Sequence, residues 1–550
     1  MKLRKVTSAV LATAVAASML VGCGGGTEVT SQVGPDLENA VPTEEYWPLK
    51  ETLNVQMAGV REDEFVSFSE CEMFKELEKK TNIHIDWIDW PQSTFKEKRN
   101  LAFNGGSLPD AMYGSWILDP PDVVKYGGEG MLLDFTPYLN ETYMPNFCRI
   151  LDAIPDLRNR LSTPDGHLYA LPTLNQNALP QTDDTLLINT EWLAKVGKEM
   201  PTTIDELYDV LKAFKEAGDL NGNGQSDEVP MTFKYAEGNT GLFGLMGFTG
   251  VVSGDKHCRL GMKDGKPVFV PATDEYKEYM HFLNKLYSEG LLDQEAFTMD
   301  NPSYNAKTQT SEPKAGVISA WSAEQVNGPI PGNDESALGV YQYVAPLQGP
   351  NPDVKPIWTT RQNFLNRNLS FVISSAVDPE KAEALVRWAD LQYDKDTSVE
   401  NILGKIGVHI QKEEGENNYS KLLNKEGKTF TNAEKSKYVP NKFAVGWLLD
   451  GEANFTDRKV GPQSKAAADE LYKPYQEAEG VHQDVMTTVE EGEELAQLTT
   501  DLIPYVDQKA GDFITGKSDI DAEWDAYIAK LDTLGLQRFM ELKTAIHERA

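Results

Sequence analysis

The sequence predicts an α/β protein built from two lobes. Between residues 52 and 113, segments of alternating hydrophobicity take turns with segments of helical spacing, an order that is typical of a parallel sheet. The same succession returns after residue 168 with different content. About 520 residues remain beyond the N-terminal segment, which is more than one hydrophobic core usually holds.

The first half contains three predicted strands with a helix in each interval. Met73, Phe74 and Leu77 recur at helical spacing, whereas the strands alternate apolar and polar side chains. A cluster of Asn, Gly and Pro precedes the third strand as a turn. The predicted strands cover 52–57, 83–88 and 110–113, and the predicted helices cover 70–80 and 95–103.

The second half carries clear helix-start signals. Thr203 and Glu206 form a capping box that opens a helix through Phe214. Asp378 and Pro379 combine an N-cap residue with a proline at the first helical position. The further predicted elements are strands at 168–172, 186–189 and 315–320 and closing helices within 520–548.

The first 23 residues predict export from the cytoplasm. Met1 to Lys5 is cationic and Val6 to Val21 is mostly apolar, as in a signal peptide. The apolar run is short and rich in Ala, Ser and Thr for a membrane span. Leu20 to Cys23 resembles a bacterial lipobox, which implies a signal peptide of residues 1–22 and acyl chains such as palmitate on Cys23. An ordinary secretion signal that ends at a cysteine is the alternative.

Residues 23–48 predict a flexible tether between this anchor and the folded part. They are rich in Gly, Thr, Glu and Pro and show no periodicity. No other stretch approaches 18 consecutive apolar residues. We therefore expect a lipid-anchored domain at the extracytoplasmic face of the bacterial cell membrane.

The charge of the chain excludes several classes of partner. Residues 1–22 hold three of the 52 basic residues and none of the 85 acidic ones, so the net charge of the remainder is −36. A surface of this sign repels nucleic acid and anionic lipid. An anionic ligand stays open, since a cleft can be locally basic.

Three further cysteines are present, namely Cys71, Cys148 and Cys258. Their odd number and the lack of CxxC or Cys/His spacing indicate neither a disulfide framework nor a zinc site. We expect them to act as small buried apolar side chains, although one pair could be oxidised outside the cell.

Several short sequence motifs resemble those of one protein family. They are the G-x-x-P-D turn at 106–110, the D-G-x-x-Y-x-L-P phrase at 165–172, the segment 189–211 with its Trp-Leu and Pro-Thr-Thr pieces, and the phrases at 289–295 and 524–527. Together they are similar to the family 1 solute-binding lipoproteins of ABC importers, in the carbohydrate-binding branch with the alginate-binding and LplA-like proteins. One departure is Asn189, where relatives often carry Arg.

The resemblance implies a periplasmic-binding-protein-like fold, in which two α/β lobes joined by hinge segments close on a ligand. We expect an N-terminal lobe of residues 49–180 with about 315–370. The C-terminal lobe should hold residues 181–314 with about 371–550, including the closing helices.

The resemblance further implies a receptor without enzymatic activity that captures a carbohydrate, an oligosaccharide in this branch, for ABC permease subunits. We expect it to be a monomer. An extracellular carbohydrate-active enzyme, which needs paired carboxyl groups in the cleft, and a peptide-binding receptor are the alternatives. Residues 511–518 fit the P-loop pattern by letter, but Pro504 argues against the preceding strand that a nucleotide site requires.

The loop of residues 219–228 has the spacing of a calcium site. Oxygen-bearing side chains at positions 1, 3 and 5 and Gly224 at position 6 reproduce the first half of an EF-hand loop. Position 12 is Pro230, so two later acids must replace the usual bidentate Glu, as in the similar loop of the alginate-binding relatives. The expected ligands of a structural Ca²⁺ are Asp219, Asn221, Asn223, Gln225, Asp227 and Glu228. A polar turn that ends the helix at Gly218 is the alternative.

Candidate ligand contacts are aromatic and basic side chains near the ends of predicted strands, where the clefts of α/β proteins open. Aromatic rings pack on the C–H faces of sugars, and planar polar groups bind their hydroxyls. The candidates are Tyr113, Trp116, Trp321, Trp358, Arg361 and Trp447. Trp116 and Trp321 are preferred among them, and Arg361 with Arg367 keeps an acidic oligosaccharide open.

Overall fold

The computed structural model describes most of the chain beyond the N-terminal segment. The described residues are 35, 40–176, 182, 184–235, 242, 244–253, 259–310, 312–327, 339–359, 368–427, 430–455, 463–476, 481 and 485–549. Cys23, Cys258, Arg361 and Arg367 lie outside them. None of the described helices is long and apolar enough to cross a membrane.

The described strands alternate with helices as the sequence predicts. The strands are β1 Leu53–Arg61, β2 Ile83–Pro91, β3 Ala111–Leu118, β4 Leu171–Asn175, β5 Thr185–Asn189, β6 Val229–Thr232, β7 Leu260–Lys263, β8 Lys266–Phe269, β9 Ala315–Ala320, β10 Tyr341–Tyr343, β11 Leu369–Ile373, β12 Ile410–Lys412, β13 Asn418–Lys421, β14 Gly446–Leu448 and β15 Asn454–Phe455.

The described helices surround these strands. They are α1 Thr43–Tyr46, α2 Glu72–Thr81, α3 Phe95–Gly105, α4 Pro120–Gly128, α5 Pro145–Ala153, α6 Leu157–Leu161, α7 Thr190–Val196, α8 Ile204–Ala217, α9 Asp274–Ser288, α10 Asn301–Thr308, α11 Ala323–Asn327, α12 Pro379–Asp390, α13 Lys395–Leu403, α14 Asn432–Lys435, α15 Lys465–Tyr472, α16 Val489–Ile514, α17 Ile520–Thr533 and α18 Leu536–Arg549.

The first lobe is built on a six-stranded sheet of order β14-β4-β11-β3-β1-β2. β1 pairs in parallel with β2 along its whole length and with β3 at its centre. β11 runs antiparallel to both β3 and β4. The helices cover the sheet, and the apolar side chains between the layers form one continuous core.

The second lobe is built on a four-stranded sheet of order β10-β5-β9-β6. β6 is parallel to β9, and β5 is antiparallel to both β9 and β10. Its core is separate from that of the first lobe and includes the inner faces of α8, α9 and the closing helices α16 to α18. The two-lobed α/β architecture predicted from the sequence is confirmed.

The division of the chain between the lobes differs from the expected one. β9 and β10 pair with β5, so residues 315–359 belong to the second lobe instead of the first. β11 pairs with β3 and β14 with β4, so residues 368–455 belong to the first lobe. The chain therefore changes lobe three times, between residues 176 and 184, 359 and 368, and 455 and 463.

The helix-start signals act as predicted. Thr203 and Glu206 form a reciprocal capping box at the start of α8, and Asp378 accepts from the main-chain amide of Lys381 at the start of α12. The P-loop-like letters at 511–518 end helix α16 and follow no strand, in agreement with the argument from Pro504. Such a helix end presents carbonyl groups and cannot cradle phosphate as a helix start does.

Arg387 attaches the start of the fold to the first lobe. Its fully buried guanidinium donates to Thr43 Oγ1 at 2.8 Å and lies 4.5 and 4.2 Å from the ring centroids of Tyr46 and Tyr143. Hydrogen bonds and two aromatic faces stabilise a cation that burial would otherwise disfavour. The ordered fold thus begins near residue 43, inside the segment 23–48 that was expected to be a flexible tether.

His409 is a buried imidazole that the fold keeps neutral. Its Nδ1 accepts from the main-chain amide of Lys405 at 2.9 Å, and its ring lies edge-on to Phe430 and Tyr438. Burial, aided by the Lys435 cation, lowers its pKa from 6.5 to about 4. Since the unfolded chain takes up this proton first as the pH falls, His409 lowers the stability of the fold progressively between those two values.

We predict that His409→Gln makes unfolding less dependent on pH. Between pH 7 and pH 4 the free energy of unfolding should fall by about 3 kcal/mol less in the variant than in the wild type. Urea titrations at several pH values measure this difference. His84→Gln is the matched control. The hydrogen bond to Glu78 raises the pKa of the exposed His84, so its removal should make the free energy of unfolding fall more steeply as the pH decreases. Equal slopes in wild type and His409→Gln would contradict the prediction.

Candidate ligand cleft

The chain crosses between the two lobes at the carboxyl edges of both sheets. β4 ends at Asn175 on the carboxyl edge of the first sheet, and the reversed strand β5 starts at Thr185 on the carboxyl edge of the second. The Thr359 hydroxyl donates a hydrogen bond to Asp184, just before β5. The chain then enters β11 at Leu369, and this strand runs antiparallel to its neighbours β3 and β4. Ten residues reach at most about 35 Å, so the two carboxyl edges lie within that distance of each other where the chain crosses, and ligands of α/β proteins bind at such edges.

A wide bulge interrupts strand β3 at this edge. Tyr113 pairs with Phe371 and Leu118 pairs with Leu369, so residues 114–117 oppose a single residue of β11. Bulges of this kind bend a strand and redirect its side chains. Here the extra residues displace Trp116 from the regular pairing with β11.

Two residues of the bulge have left-handed backbone conformations. Gly114 has φ of 118°, and a Cβ at this position would approach the main chain of Val60 at 3.1 Å, so a glycine is required. Trp116 has φ of 63°, which is unusual for a bulky side chain and costs about 1–2 kcal/mol. The surrounding contacts therefore hold this conformation in place.

Trp116 is fixed by hydrogen bonds and by an aromatic neighbour. Its main-chain amide donates to Asn368 Oδ1 at 3.2 Å, and the buried Arg99 donates to the next carbonyl, Ile117 O, at 3.0 Å. Its ring lies edge-on to Phe443, with centroids 6.3 Å apart. The side chain is nevertheless 39% exposed. The bulge thus presents a rigid aromatic surface to solvent at the carboxyl edge of the first lobe.

Trp321 occupies the corresponding place on the second lobe. It directly follows β9 at the carboxyl edge of the second sheet and is partly exposed. The Lys465 ammonium lies 4.2 Å from the centroid of its ring and donates to its carbonyl at 2.9 Å. A cation packed on the ring restrains the orientation of the indole. Each lobe therefore places one partly exposed Trp at the edge that faces the other lobe.

Three other predicted contacts lie in the lobe cores. Tyr113 is fully buried and its hydroxyl accepts from the amide of Val445 at 3.0 Å. Trp447 is fully buried beside Ser398, and the buried Trp358 stacks on a tyrosine and donates to Asp184 O at 3.0 Å. Tyr113 and Trp447 lie on β3 and β14 at positions that point into the core, whereas Trp358 lies outside the described strands. They serve packing in this structure, and Arg361 lies outside the described residues.

Sequence spacing missed several polar side chains at the same edge. Arg61, the last residue of β1, pairs with Asp89 at 3.1 Å and donates to Phe65 O at 2.9 Å. Asn368 immediately precedes β11, and Lys465 starts α15. Their position at the edge follows from the order and direction of the strands. A residue such as Asn368, which precedes an antiparallel strand, can be assigned to this edge only when the strand order is known.

The loop of residues 219–228 is tightly curled by its own hydrogen bonds. The Asp219 carboxylate accepts from the amides of Gly222 at 2.8 Å and Gly224 at 2.9 Å. Asn221 Oδ1 and Asn223 Oδ1 each accept from the amide two residues further on. The side-chain oxygens at positions 1, 3 and 5 are thus held on the concave loop that the spacing predicts.

The two later acids of this loop are held differently from each other. Asp227 forms an ion pair with Lys314 and accepts from Asn223 Nδ2, and these contacts lower the pKa of its carboxyl group. Glu228 Oε1 accepts from the amides of Leu220 and Asn221, whereas Glu228 Oε2 is buried with no partner among the described residues. No three Asp, Glu, His or Cys side chains of the described chain form a converged metal cluster. The buried oxygen of Glu228 and the hard oxygen donors fit a Ca²⁺ ion.

The two described cysteines are unpaired thiols. Burial raises the pKa of Cys71 to about 12 and that of Cys148 to about 11. Both are therefore protonated and unreactive at neutral pH. This agrees with the apolar packing role predicted for them.

Comparison with known proteins identifies the class to which this two-lobed fold belongs. The family described as bacterial extracellular solute-binding protein matches residues 72–389, more than half of the chain. The protein therefore belongs to the bacterial extracellular solute-binding proteins. This membership confirms the predicted family and places the protein outside the cytoplasm.

Two relatives and one solved structure give the likeness more detail. The fructooligosaccharide ABC transporter substrate-binding protein FusA of Streptococcus pneumoniae serotype 4 is 31% identical over 491 residues, which cover 87% of this chain and 86% of the relative. Lipoprotein LipO of Bacillus subtilis is 27% identical over 76% of this chain and 77% of its own. The structure of a FusA EF-hand mutant in complex with fructo-nystose matches with a TM-score of 0.73 at 28% identity, covering 90% of this chain and 99% of that one.

Proposed function

We propose that the protein captures an oligosaccharide between its lobes and delivers it to an ABC importer. The observation that carries this proposal is Trp116, a rigid and exposed aromatic ring at the edge that faces the second lobe. Family membership and the fructooligosaccharide transport named for FusA support the ligand class. A protein that bound peptide would instead need a free strand edge or an extended backbone-pairing groove.

The two edge tryptophans suit a sugar better than a charged ligand. An indole face packs against the C–H groups of a pyranose or furanose ring, while hydroxyl groups need hydrogen-bonding partners such as Asn368 and Arg61. Trp116 and Trp321 lie on different lobes, so a ligand that contacts both favours the closed arrangement. Sugar binding then shifts the population toward closure, and the closed form is what the permease subunits recognise.

We propose a binding role without catalysis. FusA, which is similar to this chain over most of its length, is a substrate-binding protein of an ABC transporter. The strongly perturbed carboxyl group of Asp390, whose pKa burial raises to about 7, accepts from Phe147 N and Asn146 Nδ2 at the start of α5. Both of its oxygens are thereby used in hydrogen bonds that join α12 to α5, so the perturbed carboxyl group has a packing role inside the first lobe.

We predict that removing either edge ring weakens sugar binding. Trp116→Ala and Trp321→Ala should each lower the affinity for the bound oligosaccharide by about 30-fold, since a buried aromatic anchor contributes about 2 kcal/mol. Isothermal titration of residues 24–550 with kestose, fructo-nystose, maltotriose and trigalacturonate measures this. Leu101→Ala, an exposed apolar residue on α3 of the same lobe, is the control and should bind as the wild type. Wild-type affinity in both Trp variants would contradict the proposed site.

We also propose a structural calcium ion in the 219–228 loop. The ligands would be the side-chain oxygens of Asp219, Asn221, Asn223, Asp227 and Glu228 with the carbonyl of Gln225. The EF-hand named for the FusA structure supports this assignment. When bound, the ion would neutralise the acidic loop between α8 and β6 and stabilise the second lobe.

We predict that chelation lowers the melting temperature of the wild type. Calcium at a hundred times its dissociation constant stabilises the folded state by about 2.7 kcal/mol, and EGTA removes this contribution. Asp219→Asn should melt earlier and respond little to EGTA, because position 1 loses its charge. Asp209→Asn, an exposed residue on the preceding helix α8, should respond as the wild type. An unchanged melting temperature of the wild type in EGTA would contradict the calcium proposal.

Membrane attachment through Cys23 completes the proposed function. The lipobox-like Leu20 to Cys23 and the lipoprotein LipO among the relatives support acylation of this residue. The first described helix starts at Thr43, and the flexible tether that the sequence predicts would join it to Cys23. An acidic protein needs such an anchor to stay near an anionic membrane surface.

A further inference from the structure

Asn368 lies where the first lobe, the chain crossing and the bulge of β3 meet. It is the residue immediately before β11, and its carbonyl accepts from Thr173 N at 2.8 Å, next to β4. Its side chain is partly exposed beside Trp116. It therefore belongs to the carboxyl edge that lines the proposed cleft.

The hydrogen bonds of Asn368 fix which way its amide is turned. Oδ1 accepts from Trp116 N at 3.2 Å and from Ser370 Oγ at 3.1 Å. A reversed amide would place Nδ2 against the Trp116 N–H, which is a donor and cannot accept. The Nδ2 group consequently occupies the other side, and no described residue accepts its two hydrogens.

We propose that Asn368 is a specificity-determining contact as well as the positioning residue of Trp116. Its Nδ2 donates to a hydroxyl oxygen of the same sugar unit that stacks on Trp116. Its Oδ1 at the same time holds the left-handed backbone on which the ring is presented. One side chain thus couples the ring and the hydroxyl donor at a fixed separation, and this inference rests on the proposed sugar-binding function.

Asn368→Asp separates the two roles. The substituted side chain keeps an oxygen that accepts from Trp116 N but loses the amide donor, so the bulge should stay intact while the sugar hydroxyl oxygen loses its N–H donor. Asn368→Ala removes both. Gln537→Glu makes the same amide-to-carboxylate change at an exposed position of α18 and serves as the control.

The test measures affinity and backbone protection in residues 24–550 with calcium present. Isothermal titration with the tightest of kestose, fructo-nystose, maltotriose and trigalacturonate should show a loss of about tenfold or more for Asn368→Asp and none for Gln537→Glu. One monodeoxy analogue of that sugar should bind the wild type and Asn368→Asp equally, because the hydroxyl that Nδ2 binds is missing. Equal affinity of Asn368→Asp and wild type for the parent sugar would overturn the contact.

Hydrogen exchange of the peptide 111–118 without sugar tests the positioning role. Exchange should be faster in Asn368→Ala than in the wild type and unchanged in Asn368→Asp, since only the former loses the acceptor for Trp116 N. Unchanged exchange in Asn368→Ala would overturn the positioning role. If the wild type binds no sugar, the proposed function itself is wrong. If the wild type binds sugar and the Asn368 variants bind it equally well, only the role of Asn368 is wrong.

Discussion

The chain crosses between its two sheets at their carboxyl edges, and the arrangement of the rest of the molecule depends on this constraint. The antiparallel strands β5 and β11 each begin at the carboxyl edge of their sheet directly after a crossing segment, so the crossings keep the two carboxyl edges close together. The sheets and their helices keep separate cores, which lets the lobes move as units. Side chains at the carboxyl ends of the strands then line the proposed cleft.

The bulge of β3 forms the aromatic surface for which ligand binding is proposed. A left-handed tryptophan is unfavourable by about 1–2 kcal/mol, and it persists because Asn368, Arg99 and Phe443 hold the segment from three sides. The ring is thereby ordered before any ligand arrives, which reduces the entropy lost on binding. On the second lobe Lys465 restrains Trp321 in the same way. Closure brings together two surfaces that are already formed.

Local rules predicted much of the fold from the sequence, whereas the site needed the topology. Alternation located β1 and β2, and the Thr203 capping box located the start of α8, because these signals are local. Tyr113 and Trp116 are three residues apart on one strand, yet one is buried and the other exposed. Alternation already places them on opposite faces, but both faces of β3 are buried, so the exposure of Trp116 depends on the bulge, which is set by pairing with β11 some 250 residues away and follows from no local pattern. The lobe membership of β9 and β11 was missed for the same reason.

The most direct test of the account is hydrogen exchange with and without the saccharide that the protein binds most tightly. The ligand should slow exchange in peptides covering 111–118 of the first lobe and 315–322 of the second, with little change in the core helices. Protection at both edges means that the sugar lies between the lobes and contacts each of them. Protection confined to one lobe, or protection away from both edges, would contradict the cleft that the chain crossings define.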